Sequence, residues 1–516
     1  MAKHHVGLVL ACLVSVAACG DDVSTTATPD GGAPPDGSPV NDASPGYDAS
    51  QLSDGSVPPP PAATCAEPAK LADVTKPTTV VGTGTPASCT PQLLATAVAA
   101  GGVVTFDCGS APTTITVASE LAVTKDTVID GGGTVTLSGG KTSRILHLKS
   151  AWNVPTPQLT VQKLTFTDGF TTDVLDTKST AQGGAAIFED GGSLTVIGCT
   201  FVKNQCASTG QDVSGGAING QGVGTLIIQS SVFEGNSGSN GGAVGTQAEN
   251  VTVVNSTFSN NAATGTDGNP GNGGDGGALT YDGAKNSLTL CGDTFTGNHA
   301  NAQGGAVFRV AYGTEPTNVD RCTFDGNSVN TTTGLAGGLY LEHTVITMSG
   351  TTISNNTAHY GGGIWVGQSA VALFTNVTIA DNTAELGAGV WFAGGITGTL
   401  LNCTVAGNQK EGLFGGDTGV KLQNSIVANN TSYSCEKVHG SVPPNLVFPG
   451  SPGTCTSDQL VADPLLGPLL DNGGPTKTML PGAGSPAVGK GTACPSIDQR
   501  GQPRAAACTL GAAEGK

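Results

Sequence analysis

The chain has 516 residues, of which 79 are glycine, 4% are aromatic and 12% are charged. Glycine is unfavourable inside helices, whereas the Val-, Ile- and Thr-rich apolar segments favour strands, so this composition excludes a mainly helical protein. The net charge of −18 argues against nucleic acid or anionic lipid as a partner, because both would be repelled by this surface.

Residues 1–19 read as a secretion signal. Lys3 precedes an apolar run at residues 6–18 that is too short to span a bilayer. The run ends in the letters VAAC, which resemble a bacterial lipobox, a motif whose cysteine is acylated and becomes the mature N-terminus. We therefore predict lipidation at Cys19. The alternative is ordinary signal-peptidase cleavage, which would leave Cys19 as a thiol.

Residues 20–63 are rich in Pro, Gly, Ser and Asp and poor in large apolar side chains. Such a segment cannot bury a core, so it is predicted to be a disordered tether.

Residues 64–182 are predicted to form an N-terminal cap and the first coils of a repeating structure. The stretch CTPQLLATAVAAGG at residues 89–102 predicts a short helix, with Thr90 as N-cap, Pro91 at the first helical position and Gly101 after the end. Strand-like segments follow it. A helix here would cover the open end of the first coil, which otherwise exposes apolar side chains and unpaired strand edges.

Residues 183–434 repeat two short phrases. One is an apolar residue three positions before an asparagine, in nine units spaced by 21 to 37 residues; the other is GGA followed by Ile, Val or Leu. A period of this length without helical periodicity indicates a solenoid with one coil per unit. Stacked coils would align the asparagines, whose amides can both donate and accept hydrogen bonds. The predicted asparagine ladder is Asn204, Asn236, Asn261, Asn298, Asn327, Asn356, Asn382, Asn408 and Asn429.

These phrases resemble the right-handed parallel β-helix proteins, and the combination of GGA[IV] with FxxN is similar to the repeats of polymorphic outer-membrane proteins. The resemblance covers about residues 183–430. It implies an all-β fold, a pectate-lyase-like parallel β-helix, with the short helix as its N-terminal cap.

Residues 435–516 carry the phrases DNGGPT, GSPA and DQRG, and resemble the choice-of-anchor Q domain of bacterial surface β-helix proteins. Two cysteine pairs in this part bracket irregular loops, so we predict the disulfides Cys435 with Cys455 and Cys494 with Cys508. Cys199, Cys322 and Cys403 occupy one slot in distant coils, beyond bridging distance, and are expected to be buried thiols.

No catalytic residues are assigned. On the FxxN strands, no two adjacent coils place carboxylates side by side, as a carbohydrate-cleaving pair would require. The insertion DGNPGNGGDGG at residues 267–277 offers Asp267, Asn269 and Asp275 as candidate oxygen ligands for calcium, and no other cofactor is expected. A flexible glycine-rich loop is the alternative for this segment.

Strand alternation sends the residue after GGA[IVL] outward. In four consecutive coils that residue is aromatic: Phe308, Tyr340, Trp365 and Trp391. Aromatic rings at strand spacing are candidates for glycan binding. The alternative is that the C-terminal cap or a flanking loop covers them as a second small core.

The sequence therefore predicts a lipid-anchored protein of the bacterial cell envelope, on the outer-membrane surface, that binds polysaccharide or another cell surface without catalysis. Two alternatives stay open: a lyase or glycoside hydrolase acting on acidic polysaccharide, and a structural spacer.

Overall fold

Parallel strands stack one above another along most of the computed structural model, which describes residues 65–171, 183–247, 249–283, 286–313, 315–415, 419–436, 440–450, 455–456 and 458–515. The predicted lipid site at Cys19 and the predicted tether lie outside these residues. The described residues belong to one unit, Ser53–Lys516. They form three sheets, and the strands named below pair in parallel throughout.

The first sheet has eleven strands in the described part of the chain, one from each successive coil, and we call it the eleven-strand sheet. Its strands are Leu121–Val123, Leu146–Lys149, Ile187–Asp190, Ile218–Gln221, Val244–Gln247, Leu279–Asp282, Val307–Val310, Leu339–Glu342, Ile364–Val366, Val390–Phe392 and Leu413–Phe414.

The long sheet contains two series of strands joined near the N-terminal end. It opens with Thr79–Val81, Gly102–Phe106, Thr113–Thr116, Thr127–Ser138 and Gln158–Thr167. The first series continues with Ser193–Ile197, Thr225–Gln229, Asn250–Val254, Leu288–Cys291, Pro316–Asp320, Val345–Ser349, Val371–Thr375, Thr397–Leu401, Gly419–Gln423 and Gly440–Val442. The second series comprises Thr200–Val202, Val232–Glu234, Thr257–Ser259, Thr294–Thr296, Thr323–Asp325, Thr352–Ser354, Thr378–Ala380, Thr404–Ala406, Ile426–Ala428, Leu446–Phe448 and Leu460–Val461.

Short elements complete the coils. A four-strand sheet contains Ser237–Gly238, Ala262–Ala263, His299–Ala300 and Ser328–Val329. The predicted capping helix spans Pro91–Ala100, with the Thr90 hydroxyl accepting from the N–H of Leu93 and Gly101 at φ 74°, and a 3₁₀ turn at Pro86–Ser88 precedes it. Leu94, Ala97 and Val98 pack this helix into the main core. In the described part of the chain, no helix is long and apolar enough to cross a membrane.

A glycine with positive φ lies three residues before the first residue of seven of the eleven strands, for a steric reason. Gly215 has φ 74°, and a Cβ there would lie 1.8 Å from the carbonyl oxygen of Ile218 in its own turn. Only glycine accommodates this approach. This turn directs the side chains of Ile218 and its equivalents into the solenoid, where they are fully buried. The side chain of the next residue then points outward.

Two ladders hold successive coils together. Six phenylalanines, from Phe166 to Phe324, stack inside the coils with neighbouring ring centroids 4.6 to 4.9 Å apart. The asparagines beside them are fully buried. For example, Asn298 Nδ2 donates to the Phe258 carbonyl at 3.0 Å and to Asn327 Oδ1 at 2.9 Å, while Asn298 Oδ1 accepts from Asn261.

The last ladder position differs from the sequence prediction by one residue. Asn408 donates to Asn430 Oδ1, not to Asn429, and Asn430 Nδ2 donates to the Val405 carbonyl. The strand pairing explains the shift, because Val405 aligns with Val427, three residues before Asn430. Ile426 instead packs on the outer side with Leu446, Ala487 and Leu510. Its apolar side chain resembles the inward ladder residues in sequence, which led to the wrong prediction of Asn429.

An N-terminal strap, residues 65–72, lies along the bends of the long sheet. The side-chain amides of Asn255, Gln229 and Gln162 each accept from one strap N–H and donate to the carbonyl of that same strap residue. The disulfide Cys65–Cys291 fixes the strap to a later coil. A second disulfide, Cys89–Cys108, joins the helix region to the first coils. Neither bridge was predicted from the sequence.

The other cysteines lie as follows. Cys435 is bonded to Cys455 and Cys494 to Cys508. Cys199, Cys322, Cys403 and Cys206 are buried thiols. Burial raises the pKa of Cys199 and of Cys403 to about 12, so neither thiol ionises readily.

The C-terminal segment covers the second series of strands. Stacked strands continue to Leu460–Val461, so the solenoid extends past residue 434, the boundary expected from the sequence. Residues beyond 461 then fold back: Gln499 accepts from the Thr378 hydroxyl at 2.6 Å, and the Ala512 N–H donates to the Thr404 hydroxyl at 2.9 Å.

Candidate functional site on the outer face of the eleven-strand sheet

A small, partly open pocket lies on the outer face of the eleven-strand sheet, beside its middle strands. Most of its lining side chains are acidic, amide or hydroxyl groups. They belong to Gln211, Asp212, Ser214, Asn240, Thr246, Gln247, Asn269, Asp275, Thr280, Asp282 and Phe308. Two loops contribute to it, at residues 211–214 and 269–275, Asn240 lies in the turn before Val244–Gln247, and the strands supply the rest. We call this feature the acidic pocket.

Asp275 is the most constrained group in the acidic pocket. Its main chain is anchored, because its N–H donates to Asn240 Oδ1 at 3.1 Å and its carbonyl accepts from the Thr280 hydroxyl. Its side chain is 1% exposed, yet neither carboxylate oxygen has a hydrogen-bond partner among the described residues. Burial, with Asp282 nearby, raises the pKa of Asp275 well above its ordinary value.

Asp282 lies at the end of its strand and connects to both loops. Asn269 Nδ2 donates to Asp282 Oδ2, and Gln211 Nε2 donates to Asn269 Oδ1 at 3.2 Å. Burial raises the pKa of Asp282 to about 6, and the charge of Asp212 acts in the same direction. The acidic pocket therefore contains two carboxyl groups that hold protons more tightly than exposed aspartates do.

The calcium candidates from the sequence lie only partly together. Asn269 and Asp275 line the acidic pocket, whereas Asp267 is exposed and is not part of the lining. In the described ranges, the one group of three His, Cys, Asp or Glu ligand atoms within 4.8 Å of one another is Cys65, Cys291 and Asp320. Two of those sulfurs are joined in a disulfide. Calcium in the acidic pocket stays a prediction.

The predicted aromatic row begins where the acidic pocket ends. Phe308, Tyr340, Trp365 and Trp391 align in register on adjacent strands, and Phe414 extends the row. Neighbouring ring centroids lie 5.1, 6.2, 4.8 and 4.2 Å apart along the row. Because the rings stack on one another, the row presents ring edges outward, and its ring faces are largely covered.

Burial varies along the row. Phe308 and Tyr340 are 1% and 7% exposed and pack against Ala336 and Leu335 of a flanking turn. Trp365, Trp391 and Phe414 are partly exposed. The hydrogen bonds from Gln499 and Ala512 place the C-terminal segment on the second strand series of the long sheet. A flanking turn, not this segment, covers the first half of the row.

A basic cluster lies at the N-terminal end of the same face. Glu120 pairs with Arg144 at 2.9 Å, His147 at 3.1 Å and Lys149 at 3.2 Å. The hydrogen bond from His147, with Arg144 and Lys149 beside it, lowers the pKa of Glu120 well below its ordinary value. The outer face thus changes along the solenoid from basic to acidic to aromatic.

Sequence reasoning missed Asp212 and Asp282. The sequence does contain a signal for Asp282: it lies two residues after the outward-facing Thr280, and strand alternation places both side chains on the same face. Asp212 has no such signal, because it comes from a loop of irregular length.

Comparison with known proteins concerns the fold. Residues 308–449 match the family model described as the right-handed beta helix region. A solved structure of the periplasmic alginate epimerase AlgG is 13% identical, with a TM-score of 0.42, over 68% of this chain and 77% of that one. The A-module of the Azotobacter vinelandii mannuronan C-5 epimerase AlgE6 is 15% identical, with a TM-score of 0.28, over 72% of this chain and 95% of that one.

No curated protein sequence matches the chain significantly. The family match and the continuous parallel pairing together show that the fold is an all-β, right-handed parallel β-helix with one short helix near its N-terminus.

Proposed function

We propose that the outer face of the eleven-strand sheet binds a polysaccharide without cleaving it, with one sugar residue in the acidic pocket. The observation that carries this proposal is the Asp275 carboxylate, which is buried in the pocket without a hydrogen-bond partner in the described structure. Leaving such a group unsatisfied costs about 1–3 kcal/mol, and ligand hydroxyl groups would remove that cost.

The other lining groups also suit a sugar. Asn240, Asn269 and Gln247 carry amides that can both donate and accept, and Ser214 and Thr280 add hydroxyl groups. We place one sugar ring against these groups, because small-molecule sites are concave and carry a few well-placed polar groups. Neighbouring sugar residues would then extend along the face.

The aromatic row would contact the chain as it leaves the acidic pocket. Trp365 and Trp391 are partly exposed, while their ring faces stack on one another. Their contribution would therefore come from apolar ring edges and indole N–H donors more than from ring-face stacking.

Attachment to the cell envelope is a further part of the proposal. The VAAC motif supports a lipid on Cys19, and the Pro- and Ser-rich segment after it supports a tether. The resemblance of residues 462–514 to a choice-of-anchor Q domain supports a surface location, and we place the protein on the outer membrane.

Binding is tested with the full-length protein in detergent on a panel of neutral and acidic polysaccharides. We expect Asp275→Asn to weaken retention by about tenfold, equivalent to about 1.4 kcal/mol. An amide accepts hydrogen bonds from sugar hydroxyls only at its oxygen, whereas a carboxylate accepts them at both oxygens. The matched control is Asp458→Asn, which alters an exposed aspartate. Retention that is equal in the two variants would contradict the proposal.

The aromatic row is tested in the same assay. Trp365→Ala and Trp391→Ala should each weaken retention severalfold. Trp152→Ala serves as the control, because Trp152 is the third tryptophan and is exposed in a turn away from the row.

Cleavage of an acidic polysaccharide is the second candidate function. One observation favours it: the pKa of Asp282 is raised to about 6, in the range of a general acid that works near neutral pH. New sugar ends released by the wild-type protein and absent with Asp282→Asn would establish this activity. A protein that neither retains nor cleaves any polysaccharide would leave the role of a structural spacer.

A further inference from the structure

Inside the coils, one file of the eleven-strand sheet changes from apolar to polar. Alternation places this file inward, two residues after the buried Ile187 and its equivalents. Its ends are Leu148 on one side and Leu341, Val366 and Phe392 on the other. Between them it reads Glu189, Gly220, Thr246, Tyr281 and Arg309. Polar side chains buried in the core of a solenoid are costly unless each has a hydrogen-bond or charge partner.

Two glutamates meet at the glycine of this file. Glu189 and Glu249 are both fully buried, and none of their four carboxylate oxygens has a hydrogen-bond partner in the described structure. A Cβ on Gly220 would lie 1.9 Å from Glu249 Oε1 and 3.3 Å from Glu189 Oε2. Both carboxylates therefore occupy the space that the missing side chain of Gly220 leaves open.

A third unpartnered oxygen lies on the strand adjacent to Gly220. Thr246 pairs with Gly220 on the adjacent strand, is 1% exposed, and its hydroxyl has no partner among the described residues. Thr246 also borders the acidic pocket, but its position two residues after the inward-facing Val244 puts its side chain on the inner side.

The nearest polar groups of the file are engaged elsewhere. The Tyr281 hydroxyl donates to the backbone carbonyl of Glu249, not to its carboxylate. The Arg309 guanidinium donates through Nη1 and Nη2 to the carbonyls of Gly283, Val310 and Asn286 and lies 3.9 Å from the centre of the Tyr281 ring. Its Nε is buried without a partner in the described structure. Within the described ranges, no ion pair joins a basic side chain to Glu189 or Glu249.

We propose that a calcium ion binds in the interior of the solenoid, held by the carboxylates of Glu189 and Glu249 and the hydroxyl oxygen of Thr246. This all-oxygen set suits calcium, which accepts irregular coordination and carboxylates that bind through one or two oxygens. The two negative charges of the carboxylates balance the double positive charge of the calcium ion. A single proton shared by the pair would satisfy fewer of the four oxygens.

Burial raises the pKa of both glutamates, that of Glu249 to about 8. The cause is that burial disfavours the charged form of a carboxylate. Since the ligands are fully buried, the ion would enter during folding and leave slowly.

The test is metal content after refolding. Full-length protein is unfolded in guanidinium with EDTA, refolded with calcium or with EDTA, desalted, and analysed for bound calcium and thermal stability. We expect one retained calcium per chain and a higher Tm after refolding with calcium. No retained calcium, or no difference in Tm, would overturn the proposal and indicate a shared proton.

Variants locate the ion. Glu189→Gln combined with Glu249→Gln should abolish retention, whereas Glu436→Gln, at an exposed glutamate, and Asp275→Asn, in the acidic pocket, should keep it. If the double variant does not fold, Thr246→Val preserves both carboxylates and should accelerate calcium release by about 10-fold or more. Retention lost with Asp275→Asn, or unchanged with Thr246→Val and with the double variant, would overturn the interior site.

Discussion

At the scale of single residues, asparagine has two separate roles in the solenoid, at different positions of the coils. The ladder asparagines are buried and bond from coil to coil through their side-chain amides. Other asparagines adopt a left-handed backbone at the bend between the two strand series, among them Asn255, Asn376, Asn402 and Asn424, with φ from 51° to 54°. Asparagine tolerates this conformation better than most residues. The repeated asparagines therefore supply both the turn geometry and its hydrogen bonds.

Asn298→Ala tests the ladder. The change removes four hydrogen bonds and leaves the buried N–H of Asn261 and the Phe258 carbonyl with fewer partners. We expect the free energy of unfolding to fall by about 3 kcal/mol, measured by urea denaturation. Asn330→Ala, in an exposed turn, should change it by less than about 1 kcal/mol. A small effect at Asn298 would mean that neighbouring coils readjust.

At the scale of elements, the C-terminal segment explains a file of threonines. Thr352, Thr378 and Thr404 precede the inward ladder residue in three coils, and strand propensity alone would account for them on an open surface. All three are buried in the structure. Their hydroxyls bond to the C-terminal segment, at the Lys477 carbonyl, Gln499 Oε1 and the Ala512 N–H. These threonines are a docking surface for this segment.

Gln499→Ala tests the docking. The Gln499 amide donates to Thr352 at 2.8 Å and to Thr476 at 2.9 Å, and it accepts from Thr378. Its loss should weaken docking by about 2 kcal/mol, so limited proteolysis should cut residues 462–515 faster. Gln502→Ala, whose side chain is exposed, should show the wild-type rate. Equal cleavage of both variants would show that apolar contacts alone hold the segment.

At the scale of the whole molecule, each coil contacts mainly its neighbours, so both ends of the stack need cover. The helix Pro91–Ala100 packs at the N-terminal end, and the chain continues past the last stacked strand, Leu460–Val461. The strap at residues 65–72 adds a long-range connection, because Cys65 and Cys291 are 226 residues apart in the chain. A predicted tether before Cys65 would therefore join the solenoid at the coil that contains Cys291.

Lipidation is the prediction that belongs to the whole protein. In a bacterial host, the wild-type chain should partition into detergent and carry an acylated N-terminal cysteine by mass spectrometry. Cys19→Ser should move the protein to the aqueous phase. An unmodified N-terminus in the wild-type protein would instead establish ordinary signal-peptidase cleavage.

The sequence by itself determined the repeating part of the fold. Period, paired glycines and the apolar-x-x-Asn phrase are local signals repeated in most coils between residues 183 and 430, so one error of register, at Asn429, left the rest of the ladder intact. The helix boundaries were equally local, since Thr90, Pro91 and Gly101 mark them directly.

Only the tertiary structure decided the sites. The acidic pocket joins Asp212 and Asn269 from two loops to Asp282 on a strand, and loop lengths in the repeat do not reveal which loops meet. The same holds for Cys65 with Cys291 and for Glu189 with Glu249, which lie in different coils. Repetition specifies how a coil stacks on the next one, whereas the contacts of irregular segments depend on where the stack places them.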